Sequence, residues 1–302
     1  MNLGMVGLGK MGGNMAERLV RGGHRVVGFD LDAATAAESE NEGVEIVATL
    51  MGMANAMQPP RVVWLMVPAG EIVDQVIAEI LPHLEAGDLI VDGGNSNYKD
   101  TVRRATELEE GGIHLVDVGT SGGVWGLAEG YSMMAGGSEE AIAIIAPALL
   151  TLAPAKDRGW GHVGPSGAGH FVKMVHNGIE YGLMEAYAEG FALMRAKDDF
   201  GFDLAQIAEI WRYGSVVRSW LLDLTASALA ENPTMEGIAP YVPDSGEGRW
   251  TVFEAIDLDV EMPVIALSLM RRIDSRDQYD YSDRLLSAMR NQFGGHAMKR
   301  EG

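Results

Sequence analysis

A short segment past the middle of the chain carries several side chains that can do acid–base chemistry. It reads KMVHNGIEY over residues 173–181, with polar positions spaced i, i+3, i+4, i+7 and i+8. At 3.6 residues per turn, this spacing places them on one face of a helix. The face combines an amine, an imidazole, an amide, a carboxyl and a phenol, from Lys173, His176, Asn177, Glu180 and Tyr181.

This face suits the oxidation of an alcohol, because the hydroxyl proton needs a base while a hydride leaves to a nicotinamide. The Lys173 amine can be that base if burial or a positive neighbour favours its neutral form. The Glu180 carboxyl could then protonate a carbon, and His176 and Asn177 could orient substrate hydroxyls. Any one of these residues alone is more often an ordinary packed or solvated side chain. Their combination favours a catalytic site.

A glycine-rich turn near the N-terminus predicts where the nicotinamide cofactor binds. Residues 7–12 read GLGKMG, directly after an apolar strand and at the start of a predicted helix. Gly7 permits a tight turn, Gly9 lets the backbone approach a pyrophosphate, and Gly12 allows close helix–strand packing. The predicted contacts in this loop are Gly7, Leu8, Gly9, Lys10, Met11 and Gly12.

The predicted cofactor is NAD rather than NADP. Asp30 ends the next strand, about 20 positions beyond the glycines, where an acidic residue accepts hydrogen bonds from the adenosine ribose. Its carboxylate would repel a 2′-phosphate, and Leu31 follows where an NADP enzyme often has Arg.

The elements that position these residues follow from hydrophobic patterning. Apolar β-type runs alternate with helical ones in the first half, which predicts a Rossmann-type, doubly wound parallel sheet covered on both faces. Helical patterns alone follow residue 164, so the fold class is α/β plus all-α. We predict a cofactor domain over 1–163 and an all-helical domain over 164–302. Strands are predicted at 2–6, 25–29, 44–47, 62–67, 89–92 and 113–118, with 132–135 and 162–163 as extensions. The helices predicted after the boundary are 167–197, 204–231, 252–276 and 281–292.

Composition limits the classes of partner. The net charge is −20, which disfavours nucleic acid and anionic membranes but allows a small anionic substrate near a few clustered cations. The absence of cysteine excludes disulfides and thiolate metal sites, and we predict no metal. The glycine-rich N-terminus does not read as a signal peptide, and no apolar run approaches the roughly 18 residues of a membrane span. We therefore expect a cytoplasmic protein.

Taken together, the motifs resemble the 6-phosphogluconate dehydrogenase family of the decarboxylating type, in particular its short, NAD-linked branch. The resemblance extends along essentially the whole chain. Its motifs are GLGKMG at 7–12, VPAG at 67–70, DGGNSNYKDT at 92–101, DVGTSGG at 117–123, KMVHNGIEY at 173–181, DSGEGRWT at 244–251 and RNQFGGH at 290–296.

The resemblance implies oxidative decarboxylation of 6-phospho-D-gluconate to D-ribulose 5-phosphate and CO2, with NAD reduced and a 3-keto intermediate. Lys173 takes the C3 hydroxyl proton and later returns a proton to the ketone oxygen, Glu180 protonates C1, and Asn177 completes the catalytic set. It assigns further cofactor contacts to Val67, Pro68, Ala69 and Asn95. It assigns substrate contacts to Asn95, Ser121, Gly122, Gly123, His176, Asn177 and Tyr181.

The family's phosphate site involves an Arg and a His six residues apart in the C-terminal tail of a partner subunit, a spacing that Arg290 and His296 match. The resemblance thus implies a homo-oligomer, dimer or tetramer, with shared active sites. A further phosphate-binding Arg is Arg271, Arg272 or Arg276.

Two features depart from the family's long-chain branch. The duplicated half of its helical domain is missing here, so the subunit contacts must differ. Its Lys-x-Thr substrate pair is replaced by Ser245 and Glu247. A carboxylate beside a phosphate is unfavourable, so Glu247 either points away or pairs with Arg249.

Two other classes of function compete with this interpretation. Another β-hydroxyacid dehydrogenase of the same fold would share the fingerprint and Lys173, but would give no reason for Glu180, Tyr181 and the DGGNS run. A catalytically silent NAD-binding protein could keep the glycines, but it would have no need of the Lys173, Asn177 and Glu180 set. A nucleic-acid-binding module conflicts with the net charge of −20.

Overall fold

The structure is a computed structural model that describes residues 1–276, 281–294 and Ala297. The chain divides into two compact units, Met1–Gly178 and Ile179–Gly302. The first contains a sheet with helices on its faces, and the described part of the second is helical. This combination confirms the predicted fold class.

The sheet of the first unit has eight strands in the order β3-β2-β1-β4-β5-β6-β7-β8. Strands β1 to β6 are all parallel. The chain leaves β1 in one direction for β2 and β3, and returns to the other side of β1 at β4, which is the order of a doubly wound sheet. The strands are β1 (Asn2–Val6), β2 (Arg25–Phe29), β3 (Glu45–Ile46), β4 (Val62–Leu65), β5 (Leu89–Asp92), β6 (His114–Ser121), β7 (Ser132–Gly136) and β8 (Trp160–Gly164).

The patterning predicts a parallel sheet, but one strand departs from it: β7 runs antiparallel to β6. Between these two strands lie only a 3-10 turn, Gly123–Trp125, and the one-turn helix α6, Gly126–Glu129. A parallel return needs a crossover of a dozen or more residues, so this short connection can only reverse the chain. β8 then pairs parallel to β7 and completes the predicted extension of the sheet.

Alternate residues of the strands fill two apolar clusters. On β4, Val62 and Trp64 belong to one cluster, while Val63 and Leu65 belong to the other. Side chains alternate between the faces of a strand, so the two clusters cover opposite faces of the sheet. The helices of this unit are α1 (Lys10–Arg21), α2 (Ala33–Asn41), α3 (Leu50–Ala56), α4 (Glu71–Ile80), α5 (Tyr98–Glu109), α6 and α7 (Glu139–Leu152).

Helices α3 and α7 do not figure in the predicted pattern. Both have a side-chain N-cap, since Thr49 accepts from the Gly52 amide at 3.0 Å and Ser138 accepts from the Ala141 amide at 3.2 Å. These capping residues are the sequence signal from which the two helix starts could have been predicted. Pro147 inside α7 works against a helix assignment from sequence, because a proline removes one helical hydrogen bond.

A long helix, α8 (Ala168–Ala196), begins in the first unit and continues into the second. It agrees closely with the helix predicted over 167–197. The two units divide inside α8, whereas the sequence places the boundary before it, at residue 163. The domain limits 1–163 and 164–302 stay a prediction.

The predicted helical runs 204–231 and 252–276 are each interrupted. The first run is broken near Gly214, whose φ of +74° is not helical. The second run is broken before Pro263, which starts a new helix at its first position, where proline is tolerated. The remaining helices are α9 (Leu204–Arg212), α10 (Trp220–Glu231), α11 (Glu247–Asp257), α12 (Pro263–Asp274) and α13 (Tyr281–Gly294). In the part of the chain that the structure describes, no helix is long and apolar enough to cross a membrane.

Candidate active site

The fingerprint loop leaves β1 in a shape that requires glycine. Gly7 has φ +88°, and a Cβ there would lie 2.6 Å from the Met66 carbonyl oxygen. A Cβ on Gly12 would meet the Gly7 carbonyl oxygen, so the start of α1 lies directly against the loop. A Cβ on Gly9, in contrast, would meet nothing within 4 Å. The open face at Gly9, next to the N-terminus of α1, fits the approach of a pyrophosphate.

Asp30 connects the fingerprint loop to the end of β2. Its Oδ2 accepts a hydrogen bond from the Leu8 amide at 2.6 Å, and its Oδ1 accepts one from the Asp32 amide at 2.8 Å. Each carboxylate oxygen has a further lone pair, so these bonds orient the group and leave capacity for ribose hydroxyls. Beside it, Leu31 is 93% exposed. Asp32 caps α2, and the Ala34 amide keeps the pKa of its carboxyl below the usual value.

The loops after β4 and β5 lie at the same edge of the sheet as the fingerprint loop, because the carboxyl ends of parallel strands coincide. Val67 is half-buried, and Pro68, Ala69 and Asn95 are exposed at this edge. The structure therefore brings the predicted cofactor residues of three loops to one edge of the sheet.

Two buried charged residues that the sequence analysis did not single out hold these loops. Asp92 accepts hydrogen bonds from the Gly94 amide at 3.1 Å and the Ser96 hydroxyl at 2.7 Å, which closes the turn bearing Asn95. Arg104, only 2% exposed, donates to the Gly70 carbonyl at 2.9 Å and has Nη1 3.7 Å from Asp92 Oδ2. One guanidinium thus braces both loops. The DGGNSNYKDT motif pointed to Asp92, but Arg104 lies beyond it and carried no sequence signal.

Strand β6 ends at Ser121 and is followed by two glycines with positive φ, +136° at Gly122 and +52° at Gly123. The ring of Tyr131 lies beneath this loop, since a Cβ on Gly122 would be 3.2 Å from Tyr131 Cδ1. Full burial raises the pKa of the Tyr131 phenol to about 12. The loop therefore packs on an apolar, uncharged ring.

The polar face of α8 is partly buried within the first unit. Lys173 is 6% exposed and Asn177 is 8% exposed. A Cβ on Gly119 of β6 would meet Lys173 Cβ, so the lysine stem lies directly on the strand. His176 is half-buried, and its Nδ1 lies 3.0 Å from Asn177 Oδ1. The structure thus places the predicted base and amide where a Rossmann strand and a long helix meet.

Farther along α8, in the second unit, Tyr181 is 5% exposed and Glu180 is half-buried. The Tyr181 hydroxyl accepts a hydrogen bond from the Ser245 amide at 3.2 Å. Ser245 Oγ donates to Glu247 Oε2 at 2.7 Å, and Glu247 is 2% exposed. Of the two alternatives for Glu247, the pairing with Arg249 is not formed, because Arg249 binds Asp244 at 2.9 Å instead. Glu247 is a buried acceptor for the serine that holds Tyr181.

The three arginines considered for phosphate binding differ in their partners. Arg271 pairs with Asp274 at 2.6 Å, and Arg276 pairs with Asp244 at 2.8 Å. The Arg272 guanidinium stacks on the Tyr181 ring, 3.5 Å from its centroid, and donates to the Pro243 carbonyl at 3.1 Å. Among the residues that the structure describes, no carboxylate forms an ion pair with Arg272, so it retains its charge for an anion.

Of the two tail residues predicted to bind phosphate, the structure describes one. Arg290 lies exposed on α13, whereas His296 lies outside the described residues. Across residues 1–276 and 281–294, no group of three or more His, Asp or Glu side chains is arranged to hold a metal ion.

Comparison with known proteins gives matches along nearly the whole chain. The family model described as the NAD binding domain of 6-phosphogluconate dehydrogenase matches residues 2–161, and the model of the 6-phosphogluconate dehydrogenase C-terminal domain matches residues 169–280. The NAD(+)-dependent, decarboxylating 6-phosphogluconate dehydrogenase of Haloferax volcanii is 41% identical, over 100% of this chain and 99% of its own length.

Longer relatives are also similar. The decarboxylating enzyme of Haemophilus ducreyi is 38% identical, over 90% of this chain but 59% of its own length. A solved structure of Plasmodium falciparum 6-phosphogluconate dehydrogenase has a TM-score of 0.85 at 28% identity, and the match covers 100% of this chain and 66% of that one. The 3-hydroxyisobutyrate dehydrogenase of Mycobacterium tuberculosis shares the fold, with a TM-score of 0.71 at 23% identity over 88% of this chain and 90% of that one.

Proposed function

Because this chain belongs to the 6-phosphogluconate dehydrogenase family, we propose that it oxidises and decarboxylates 6-phospho-D-gluconate to D-ribulose 5-phosphate and CO2 while reducing NAD. The observation that carries the proposal is the buried amine of Lys173 beside Asn177 on α8, seated on the strand that ends at Ser121. Lysine is rarely buried in a protein, and a buried amine at a cofactor-binding fold is a candidate base.

The cofactor loops fit NAD and disfavour NADP. Gly9 offers an open backbone face for the pyrophosphate, and the oriented carboxylate of Asp30 suits two ribose hydroxyls. Asp32 adds a second carboxylate to the same loop, with the exposed Leu31 between them. Two negative groups repel a 2′-phosphate, so the loop favours the unphosphorylated ribose.

The chain's own groups account for the proton transfers. When NAD is bound, its nicotinamide accepts the hydride from C3 of the substrate. The Lys173 amine, in its neutral form, takes the proton of the C3 hydroxyl. The resulting 3-keto acid loses CO2, because the ketone β to the carboxylate takes up the electron pair. Lys173 then returns its proton to the ketone oxygen, and Glu180 supplies the proton that C1 needs.

The remaining predicted contacts orient the substrate. Amide and imidazole groups can donate to or accept from its hydroxyls, and the glycine backbone after β6 can donate to its carboxylate. We assign these contacts to Asn95, Ser121, Gly122, Gly123, His176, Asn177 and Tyr181.

We assign the phosphate of the substrate to Arg272. Its guanidinium lies over the Tyr181 ring and has no ion-pair partner among the described residues, whereas Arg271 and Arg276 are already paired with carboxylates. A preorganised guanidinium binds phosphate well because its donors form a planar fork.

We further propose that the chain assembles into a homo-oligomer whose partner subunit supplies Arg290 and His296. The second unit exposes large apolar side chains, including Leu193 at 74% and Val216 at 99% exposure. It also has an apolar cavity of about 510 Å³ lined by Phe191 and Leu224, among others. Exposed apolar surface of this extent is typical of a subunit interface.

The test is an assay of the purified protein with 6-phosphogluconate and either NAD or NADP, in which reduced cofactor and CO2 are both followed. We expect equal amounts of NADH and CO2, with a slower reaction in NADP. The fold is shared with 3-hydroxyisobutyrate dehydrogenase, so oxidation without decarboxylation is the rival outcome. Reduced cofactor without CO2 would overturn the proposal in favour of a plain hydroxyacid dehydrogenase.

A further inference from the structure

The β6 motif DVGTSGG places three residues on the same side of the sheet. Asp117, Gly119 and Ser121 alternate along the strand, so their α-carbons present the same face. Ser121 is a proposed substrate contact, and Gly119 lies against the Lys173 stem. Asp117 has no assigned role, yet its carboxylate is completely buried.

The Asp117 carboxylate binds the start of α8. Its Oδ1 accepts a hydrogen bond from the Gly167 amide at 2.6 Å, and its Oδ2 accepts one from the His170 amide at 2.7 Å. Amides at a helix N-terminus have no partner within the helix, and a carboxylate there also meets the positive end of the helix dipole. A strand residue therefore provides the hydrogen bonds that begin the catalytic helix.

Close packing restricts the helix start further. A Cβ on Gly169 would lie 2.6 Å from the Asp117 carbonyl oxygen and 2.9 Å from its Oδ2. A Cβ on Gly136 would lie 2.5 Å from Asp117 Oδ1. The absence of a side chain at these glycines allows the carboxylate to approach closely, and the first turn of α8 cannot slide along β6 without losing both hydrogen bonds.

Two side chains tie the same turn to neighbouring elements. His170 Nδ1 lies 2.8 Å from the Thr101 hydroxyl on α5, the helix that follows the Asn95 turn. Ser166 Oγ donates to the Leu115 carbonyl of β6 at 2.8 Å. Each of these side chains makes one hydrogen bond at this turn. Among the described residues, only the Asp117 carboxylate binds two of its backbone amides.

We propose that Asp117 is a positioning residue for Lys173, because its bonds to the Gly167 and His170 amides determine where α8 begins on β6. Lys173 lies one turn after His170, so a shift of the helix start displaces the amine. The inference rests on the proposed role of Lys173 as the base. A displacement of about 1 Å at a reacting group can cost about 100-fold in rate.

The test compares two buried aspartates of the first unit. Asp117→Asn keeps the volume but puts an amide NH2 where a carboxylate oxygen faces a backbone N–H. The matched control is Asp88→Asn, since Asp88 is equally buried and accepts from the Arg61 amide at 2.6 Å and the Glu85 amide at 3.0 Å, away from α8. Unfolding in urea measures the stability of each variant.

We expect Asp117→Asn to lower kcat by about 10- to 100-fold and to leave KM for NAD within about twofold. The pH at which kcat/KM is half-maximal should also shift, because the amine changes its surroundings. Asp88→Asn should lose comparable stability and keep kcat within about twofold. Equal kcat in the two variants would overturn the proposal.

A substrate-free measurement separates this proposal from the proposed function. Acylation of the Lys173 amine by a small anhydride, followed across pH by peptide mass spectrometry, reports the state of the amine directly. A changed pH profile in Asp117→Asn supports positioning even if the wild-type protein does not oxidise 6-phosphogluconate, and an unchanged profile overturns it. If Asp117→Asn does not fold, Asp117→Ser keeps a hydroxyl that can accept from only one of the two amides, with an expected loss of at least about threefold in kcat. Unchanged kcat and unchanged acylation in that variant would also overturn the proposal.

Discussion

The stem of Lys173 is closely packed on the neighbouring strand. The stem lies on Gly119, where a Cβ would clash, and only 6% of the residue is exposed. The contact with the Gly119 backbone restricts where the amine can point. Both features belong to the residue and its immediate neighbours.

Replacement of the amine tests this role. Lys173→Met keeps an unbranched stem on Gly119, so we expect native stability and normal NAD binding, with kcat reduced by at least about 100-fold. Steady-state kinetics and calorimetric titration with NAD measure these quantities. The control is Glu180→Gln, which should still reduce NAD with the substrate but release ribulose 5-phosphate slowly. Substantial turnover by Lys173→Met would remove Lys173 as the base.

A second residue prediction concerns the phosphate. Arg272→Met should raise KM for 6-phosphogluconate by about 10- to 100-fold, because one charged hydrogen-bonding partner contributes about 1.5–3 kcal/mol. The neighbouring Arg271→Met is the matched control, since Arg271 already pairs with Asp274 and Glu185. KM for NAD should be unchanged in both variants. Equal effects of the two substitutions on KM for the substrate would contradict the assignment.

At the level of elements, we propose that the β2–α2 loop determines the preference for NAD over NADP. Asp30→Ser with Leu31→Arg removes one carboxylate and adds a cation where a 2′-phosphate would lie. We expect the ratio of kcat/KM for NADP to that for NAD to rise by at least about tenfold. The control is Leu31→Met, which changes the exposed side chain without charge. An unchanged ratio in the double variant would mean that Asp30 does not contact the ribose.

The ion pairs between α4 and α5 predict that the first unit loses stability at acid pH. Hydrogen bonds from Arg104 and Arg103 lower the pKa of Asp74 from 3.8 to about 2. A lowered carboxyl pKa stabilises the folded state above pH of about 4, and this contribution is lost as the pH falls towards 2. Asp74 is 39% exposed, so screening reduces the effect to about 1 kcal/mol.

Urea unfolding of wild type and Asp74→Asn between pH 2 and 6 measures this effect. The two proteins should differ by about 1 kcal/mol at pH 6 and converge towards pH 2. Asp157→Asn is the control, because Asp157 pairs with its exposed sequence neighbour Arg158 and not with another helix of the described chain. A difference that stays constant with pH would show that the ion pair is not its cause.

At the level of the whole molecule, α8 belongs to both compact units and carries predicted site residues in each. Lys173 and Asn177 lie in the first, and Glu180 and Tyr181 lie in the second. The second unit exposes many large apolar side chains among its described residues, which is consistent with the proposed oligomer.

Removal of residues 293–302 tests whether the tail completes a neighbouring site. We expect KM for 6-phosphogluconate to rise by about tenfold or more, while KM for NAD stays within about twofold, because the tail would contact only the substrate's phosphate. Sedimentation analysis should still show an oligomer, since the exposed apolar side chains of α8 to α10 remain. Equal loss of affinity for both ligands would contradict the tail assignment.

Much of the fold was open to prediction from local patterns. Continuous apolar strands alternating with helices indicate a doubly wound sheet, and the GLGKMG turn with Asp30 marks its cofactor edge. The reversal at β7 was not predicted, because strand direction depends on the length and path of a connection rather than on the strand's own residues. Helix α7 was also not predicted, because Pro147 disfavours a helix locally. In the folded protein, packing against neighbouring elements outweighs the cost of this proline.

The residue types of the candidate site, and their spacing on one helix, can be read from the sequence because a 3.6-residue repeat is a local property. Which arginine is unpaired, what Glu247 binds and what Asp117 holds were decided only by the tertiary structure. Each of these depends on partners distant in sequence, such as Tyr181 for Arg272 or the α8 amides for Asp117. Hydrogen bonds and ion pairs form between whichever groups folding brings within reach, so their partners cannot be inferred from spacing along the chain.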